Sequence, residues 1–146
     1  MSNNKVVLLV EDNKNDELLA IRALKKCSVE NEVSVVRDGV DAIEYLFGKQ
    51  ADGSRNKMPE LILLDLNIPK LNGLEVLKKI KSDEITSQVP VVIMTSSTEA
   101  SDINNSYELG ANSYLRKPVD YNEFTYLIDH LATYWLVLNQ TPQMLH

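Results

Sequence analysis

The sequence predicts an α/β fold: a five-stranded parallel sheet with helices on both faces, wound as five βα units. Three observations predict it. Short continuous apolar runs, Val6-Val7-Leu8-Leu9-Val10 and Leu61-Ile62-Leu63-Leu64 among them, read as strands buried on both faces. Segments with apolar residues at helical spacing alternate with such runs along the chain. The strands also end in charge: Glu11-Asp12 follows the first, Asp65 the third and Lys117-Pro118 the last. Open α/β sheets place their ligand sites beyond the carboxyl ends of the strands, so these residues are expected on one rim.

Each element has its own signal. Residues 5–10 read as the first strand. Residues 14–27 follow as a helix with Leu18, Leu19, Ile21, Ala23 and Leu24 as its apolar positions, capped by Asn13 or Asn15. Glu32 to Val36 is the second strand, Asp38-Gly39 a turn signal, and Ala42, Ile43, Leu46 and Phe47 mark the second helix. Gly48 to Pro59 is the longest polar loop. Glu60 to Leu64 is the third strand, and Asp65 to Asn72 a loop containing Pro69. Gly73 begins a helix whose face carries Leu74, Val76, Leu77 and Ile80. Val91 to Met94 is the fourth strand, ending in Thr95-Ser96-Ser97, and the helix after it reaches Leu109. Gly110 suits the left-handed residue that closes that helix. Ser113 to Arg116 is the fifth strand, and the last helix runs from about Tyr121 to Leu138.

Composition sets outer limits. A chain of 146 residues with 44% hydrophobic residues suits one domain over 1–146, with a core over about 5–138 and a short tail, 139–146. A net charge of -6 argues against direct nucleic-acid binding, which favours basic surfaces. The single cysteine, Cys27, excludes an intrachain disulfide and reads as a small apolar residue near a helix end. No apolar stretch approaches the roughly 20 residues that cross a bilayer. The N-terminus lacks a signal-peptide apolar region, so the expectation is a cytoplasmic protein without membrane contact. His130 and His146 have no metal-ligand spacing and read as surface or edge residues.

Glu11, Asp12 and Asp65 offer carboxylates suited to a hard divalent cation, which prefers oxygen ligands. Crowded together, carboxylates shift upward in pKa unless a cation or proton neutralises them. Lys117 adds a fixed positive charge and Thr95 a hydroxyl at the end of the fourth strand. Taken singly, each has an ordinary reading as helix cap, solvated lysine or turn residue. Their joint appearance at several strand ends points to phosphoryl chemistry.

The residues Leu8-Leu9-Val10-Glu11-Asp12-Asn13, Leu63-Leu64-Asp65-Leu66-Asn67-Ile68-Pro69 with Gly73, Val92-Ile93-Met94-Thr95, and Gly110 to Pro118 recur in order and spacing in one family. From about Val6 to Leu138 the chain resembles the receiver domain of two-component response regulators, with its flavodoxin-like fold. The resemblance implies that Asp65 is the phosphoacceptor. It implies that Asp12 binds Mg2+ (or Mn2+) directly, that Glu11 acts mainly through water, and that Asn67 contributes its backbone carbonyl. Thr95 would hydrogen-bond the phosphoryl group and, with Tyr114, form a conformational switch; Lys117 would pair with a phosphoryl oxygen. The Lys117–Pro118 bond would be cis. Asn67 and Ser97 fall at the family's rate-tuning positions; both are small and polar, implying a phosphoaspartate of moderate persistence. The implied donor is a sensor histidine kinase or a histidine phosphotransfer protein. The chain would be no enzyme beyond catalysing its own phosphorylation and dephosphorylation. A weaker likeness, in the long loop and the aromatic last helix, is to single-domain receivers that partner bacterial phytochrome kinases.

No output domain is expected after the fifth helix, so the signal would be read from the receiver's own surface. In the last helix Phe124, Leu127, Ile128, Leu131, Trp135 and Leu138 form a core stripe. Tyr126, His130, Tyr134 and Val137 form a second stripe. Either they edge the core or they make a partner surface, with Tyr126, Tyr134 and Val137 as the candidate interface of a homodimer. No Lys or Arg follows Tyr121, so such an interface would be apolar and aromatic. Three other classes compete. A phosphatase of the haloacid dehalogenase class would want a second aspartate where Asn67 stands. A flavodoxin would want a Ser/Thr/Gly-rich phosphate loop in place of Glu11-Asp12-Asn13-Lys14-Asn15. A pseudo-receiver would have lost acids that are all present here.

Overall fold

The computed structural model describes residues 5–27 and 29–142; His146 lies outside them. Five strands, β1 (Lys5–Val10), β2 (Asn31–Val36), β3 (Leu61–Leu64), β4 (Val91–Thr95) and β5 (Ser113–Arg116), form one parallel sheet in the order β2-β1-β3-β4-β5. Helices α1 (Lys14–Lys26), α2 (Gly39–Phe47), α3 (Gly73–Ser82), α4 (Ala100–Glu108) and α5 (Tyr121–Thr133) follow the strands in turn. The strand bounds agree with the expected ones to within one residue.

The apolar runs are continuous because β1, β3 and β4 are covered on both faces, and successive side chains alternate between two cores. Leu8, Ile62, Leu64 and Ile93 pack toward α2 and α3, against Leu46, Leu77 and Ile80. Val7, Leu9, Leu63 and Val92 pack toward α1 and α5, against Leu24, Phe124 and Ile128. Asn13 caps α1, its side chain accepting from the Asp16 amide at 3.0 Å, which decides between the two candidate asparagines. Gly110 has φ +104°, the left-handed conformation expected after α4. Cys27 is half-buried, its thiol 3.0 Å from the Leu24 carbonyl, in keeping with a packing role.

Two expectations are corrected. Asp38-Gly39 is not a turn: Asp38 caps α2, accepting from the Asp41 amide at 2.8 Å, and Gly39 is its first residue. The glycine is needed for close approach, because a Cβ there would stand 2.1 Å from the Leu71 carbonyl oxygen. The last helix does not keep one period to Leu138. After Thr133 it widens into a π-helical turn, Tyr134–Leu138, closed by the Asn139 amide on the Tyr134 carbonyl. The extra residue in that turn shifts the inward face by about one position. Leu136 is therefore buried at 1% exposure, whereas Leu138, expected in the core, is 63% exposed.

Candidate functional site

The carboxyl ends of β1, β3, β4 and β5 meet at one rim because the four strands are parallel neighbours in register. Glu11 directly follows β1, Asp65 directly follows β3, and Thr95 ends β4. The Lys117 amide extends the β4–β5 ladder by donating to the Thr95 carbonyl at 2.8 Å. From there the lysine side chain crosses the rim. Its ammonium has three N–H groups, and it meets three carboxylates: Asp65 Oδ2 at 2.6 Å, Glu11 Oε1 at 2.7 Å and Asp16 Oδ2 at 2.9 Å. The second oxygens of the two buried acids are also held. Asp65 Oδ1 accepts from the Asn67 amide at 3.0 Å, and Glu11 Oε2 from the Asn13 amide at 3.1 Å.

Glu11 and Asp65 are buried, while Asp12 and Asn67 are exposed beside them. One carboxylate oxygen from each of Glu11, Asp12 and Asp65 falls within a 4.8 Å group. Burial raises Glu11 to a pKa of about 7, and the Asp65 charge adds to the rise; the contact with Lys117 opposes it. Burial alone would lower Lys117, but its bonds to Asp16, Asp65 and Glu11 outweigh that and hold it above its ordinary value. The set suits a hard divalent cation: oxygen donors only, one acid held against its charge by burial, and an exposed carboxylate facing the opening.

Thr95 is fully buried, and its hydroxyl has no hydrogen-bond partner. A buried hydroxyl is nearly always paired, so an orphaned one at the rim has a donor to spare for an incoming oxygen. Tyr114, on β5, is half-buried and donates to the Ser97 carbonyl at 3.0 Å; burial raises its phenol. Ser97 itself donates to Asp102 Oδ2 of α4 at 2.6 Å. The loop after Asp65 is fixed from outside. Pro69 accepts from the Gly39 amide at 3.1 Å, and Lys70, at φ +72°, pairs with Asp38 at 3.3 Å. Gly73 lies so close to Asp65 that a Cβ would stand 2.5 Å from the Asp65 carbonyl oxygen.

The structure thus brings together Glu11, Asp12, Asp65, Asn67, Thr95 and Lys117. It corrects one expectation: no cis peptide bond occurs among the described residues, so the bond before Pro118 is trans. The two isomers of an X–Pro bond differ by only about 0.5–1 kcal/mol, and with a trans bond the lysine already reaches all three acids. Tyr126, Tyr134 and Val137 stand away from the rim, each at least half exposed on the outer side of α5 and its π turn. Asp16 was not anticipated. It lies four residues after Asp12 in the first turn of α1, and its contact with Lys117 spans 101 positions.

A rim of this kind, on a sheet of order 2-1-3-4-5, is that of a receiver domain. The profile of the response regulator receiver domain family matches residues 7–129, and the chain belongs to that family. It is 39% identical over 132 residues to the response regulator Rcp1 of Synechocystis sp., covering 90% of this chain and 89% of Rcp1. It is 36% identical over 137 residues to the probable methanogenesis regulatory protein FilR2 of Methanothrix harundinacea, covering 94% and 87%. Among solved structures it is similar to the phosphorylated cyanobacterial phytochrome response regulator RcpA, with a TM-score of 0.88, 40% identity and 96% and 99% of the two chains covered. It is also similar to the Mn2+-bound form of Rcp1, with a TM-score of 0.87, 37% identity and 95% and 99% covered. The protein is therefore a receiver-domain response regulator of two-component signalling, and its acidic cluster fits Mg2+ or Mn2+. No helix among the described residues is long and apolar enough to cross a membrane.

Proposed function

We propose that the protein accepts a phosphoryl group on Asp65 from a histidine kinase or a histidine phosphotransfer protein and signals through its own surface. The observation that carries the reading is the buried Asp65 carboxylate bonded to Lys117 at 2.6 Å beside the unpartnered Thr95 hydroxyl. An Asp65 oxygen forms the bond to phosphorus as the donor's P–N bond breaks, and the imidazole leaves with the electron pair and takes a proton. In the later hydrolysis water attacks phosphorus and gives up a proton to solvent, the P–O bond to Asp65 breaks, and the carboxylate and inorganic phosphate are released. Little covalent work falls to the protein, so positioning and charge neutralisation dominate. Asp12, Asp65, the Asn67 carbonyl and, through water, Glu11 would hold the cation, which when bound neutralises charge on the transferring oxygens. Lys117 turns a donor toward a phosphoryl oxygen. Thr95 donates its free hydroxyl to another, and Tyr114 leaves the Ser97 carbonyl and turns inward. Asn67 and Ser97 leave room for water, giving a phosphoaspartate of moderate lifetime.

A stand-alone receiver is supported by Rcp1 and FilR2, which this chain covers over 89% and 87% of their own lengths. For output, the exposed Tyr126, Tyr134 and Val137 offer an apolar and aromatic strip suited to a homodimer. Incubation with phosphoramidate and Mg2+ followed by intact mass tests the acceptor: wild type gains one phosphoryl group and Asp65→Asn gains none. A folded wild type that gains nothing refutes the reading. Sedimentation of wild type and Tyr134→Asp tests the strip; equal masses for both would reject it.

A further inference from the structure

Asp16 has no part in the reaction described above, yet its carboxylate stands on the same ammonium as the acceptor. Lys117 has three N–H donors, and Glu11, Asp65 and Asp16 engage all of them. A phosphoryl group on Asp65 brings new oxygens to this ammonium, and an existing acceptor has to release it. Glu11 is the costlier one to free, because its side chain is 5% exposed and would be left charged in the interior. The Asp16 side chain is 27% exposed, so water can replace the lysine there. Its place is set by the chain: Asn13 caps α1 through the Asp16 amide at 3.0 Å, which puts the carboxylate of this first helical turn over the rim that Glu11 and Asp12 have just left.

We propose that Asp16 is a positioning residue that holds Lys117 back from the phosphoryl group and so weakens both capture of the phosphodonor and retention of the phosphate on Asp65. The inference rests on Asp65 being the acceptor. Asp16 acts twice. It occupies an ammonium donor that would otherwise be free for a phosphoryl oxygen, and it places a negative charge beside an incoming dianion. Asp16→Asn removes the charge and leaves only a weaker, neutral acceptor for the ammonium, while the side chain keeps its size and its place in the helix. Partial screening at this half-open position leaves an effect of about three- to tenfold.

The test measures phosphorylation by phosphoramidate and subsequent hydrolysis, both at saturating Mg2+, in wild type, Asp16→Asn and Asp16→Glu. Circular dichroism establishes that each is folded. The expected result for Asp16→Asn is a KM for the donor about three- to tenfold lower, with kcat changed less, and a phosphoaspartate lifetime longer by a similar factor. Both effects shrink as salt is raised, and Asp16→Glu returns both values toward wild type. A merely structural role would shift melting temperature and leave the split between KM and kcat untouched. Asp16→Asn constants within twofold of wild type, on a wild type that does take phosphate, overturn this inference alone. A wild type that takes no phosphate overturns the acceptor reading beneath it.

Discussion

Replacing Lys117 by methionine keeps the length of the apolar stem but removes the ammonium on which Glu11, Asp16 and Asp65 converge. Two of those acids are almost wholly buried, at 5% and 7% side-chain exposure. Removing one partner of a buried ion pair leaves charge uncompensated and typically costs about 3–5 kcal/mol. Asp16, being more exposed, adds little. At about 2–4 °C per kcal/mol for a domain of this size, the melting temperature should fall by roughly 6–20 °C in EDTA near pH 8. The loss depends on pH through Glu11. Its folded pKa, about 7, lies above its ordinary 4.5, so the folded state binds the extra proton. Its contribution is fully present below about pH 4.5 and disappears as pH rises through 7. Without Lys117 that pKa rises further, so near pH 6 Glu11 is protonated and the penalty is smaller. Mg2+ should restore part of the stability at pH 8, because it supplies positive charge to the same oxygens. Thermal unfolding followed by circular dichroism at both pH values, with EDTA and with Mg2+, measures all of this. A melting temperature within about 2 °C of wild type in EDTA at pH 8 would refute the claim that Lys117 neutralises a buried acidic cluster.

Other perturbations read other parts of the molecule. Thr95→Val removes a buried hydroxyl with no partner, so the unphosphorylated protein should be unchanged or stabilised by up to about 1–2 kcal/mol; a clear fall in melting temperature would show that the hydroxyl is satisfied. Gly73→Ala forces a Cβ to 2.5 Å from the Asp65 carbonyl oxygen and should cost about 1–3 kcal/mol, with slower phosphorylation; denaturant titration and intact mass check the two parts. Leu136→Ala should cost about 2–5 kcal/mol, and Leu138→Ala less than about 0.5; the reverse order in urea unfolding would mean that α5 keeps a single period to its end. Apparent Mg2+ affinity should weaken as pH drops below about 7, since the cation competes with the proton that burial places on Glu11; an affinity that is flat between about pH 6 and 8 would contradict that protonation.

What the sequence disclosed, and what it hid, divides along physical lines. The strands were legible because burial on both faces leaves no room for polar residues, so Val6 to Val10 and Leu61 to Leu64 stand out without any periodicity argument. The rim was legible because parallel strands must deliver their carboxyl ends to one side. The start of α2 was not, because Asp-Gly serves a turn and a helix cap equally well, and the choice depends on Leu71 packing against Gly39 from another loop. The register of Leu136 and Leu138 was hidden because a π turn breaks the period on which the stripe was counted. The isomer before Pro118 turns on an energy difference too small for local sequence to decide. Asp16 was one polar residue among several in the first turn of α1; only the fold, by carrying Lys117 across 101 positions to meet it, gives it a role.

The unphosphorylated rim is unevenly satisfied, and the unevenness indicates how it responds. Lys117 has every donor engaged, while Thr95, at the adjacent strand end, has a donor and no acceptor. A phosphoryl group brings acceptors and negative charge to the same place. On the proposed phosphorylation of Asp65 it would therefore relieve Thr95, whose hydroxyl would gain an oxygen, and compete with Asp16 for the lysine. The first change would act at the end of β4, next to the Ser97 carbonyl that holds Tyr114; the second would act at the first turn of α1, where Asn13 caps the helix through the Asp16 amide. One covalent event would thus act on opposite sides of the rim through two different residues. Thr95→Val should uncouple Tyr114 and cost the phosphoryl group one hydrogen bond, whereas Asp16→Asn should strengthen donor capture without uncoupling Tyr114. Tyrosine fluorescence and phosphorylation kinetics on the two variants separate these effects, and an Asp16→Asn protein whose Tyr114 no longer responded to phosphorylation would show that the rim has one pathway instead of two.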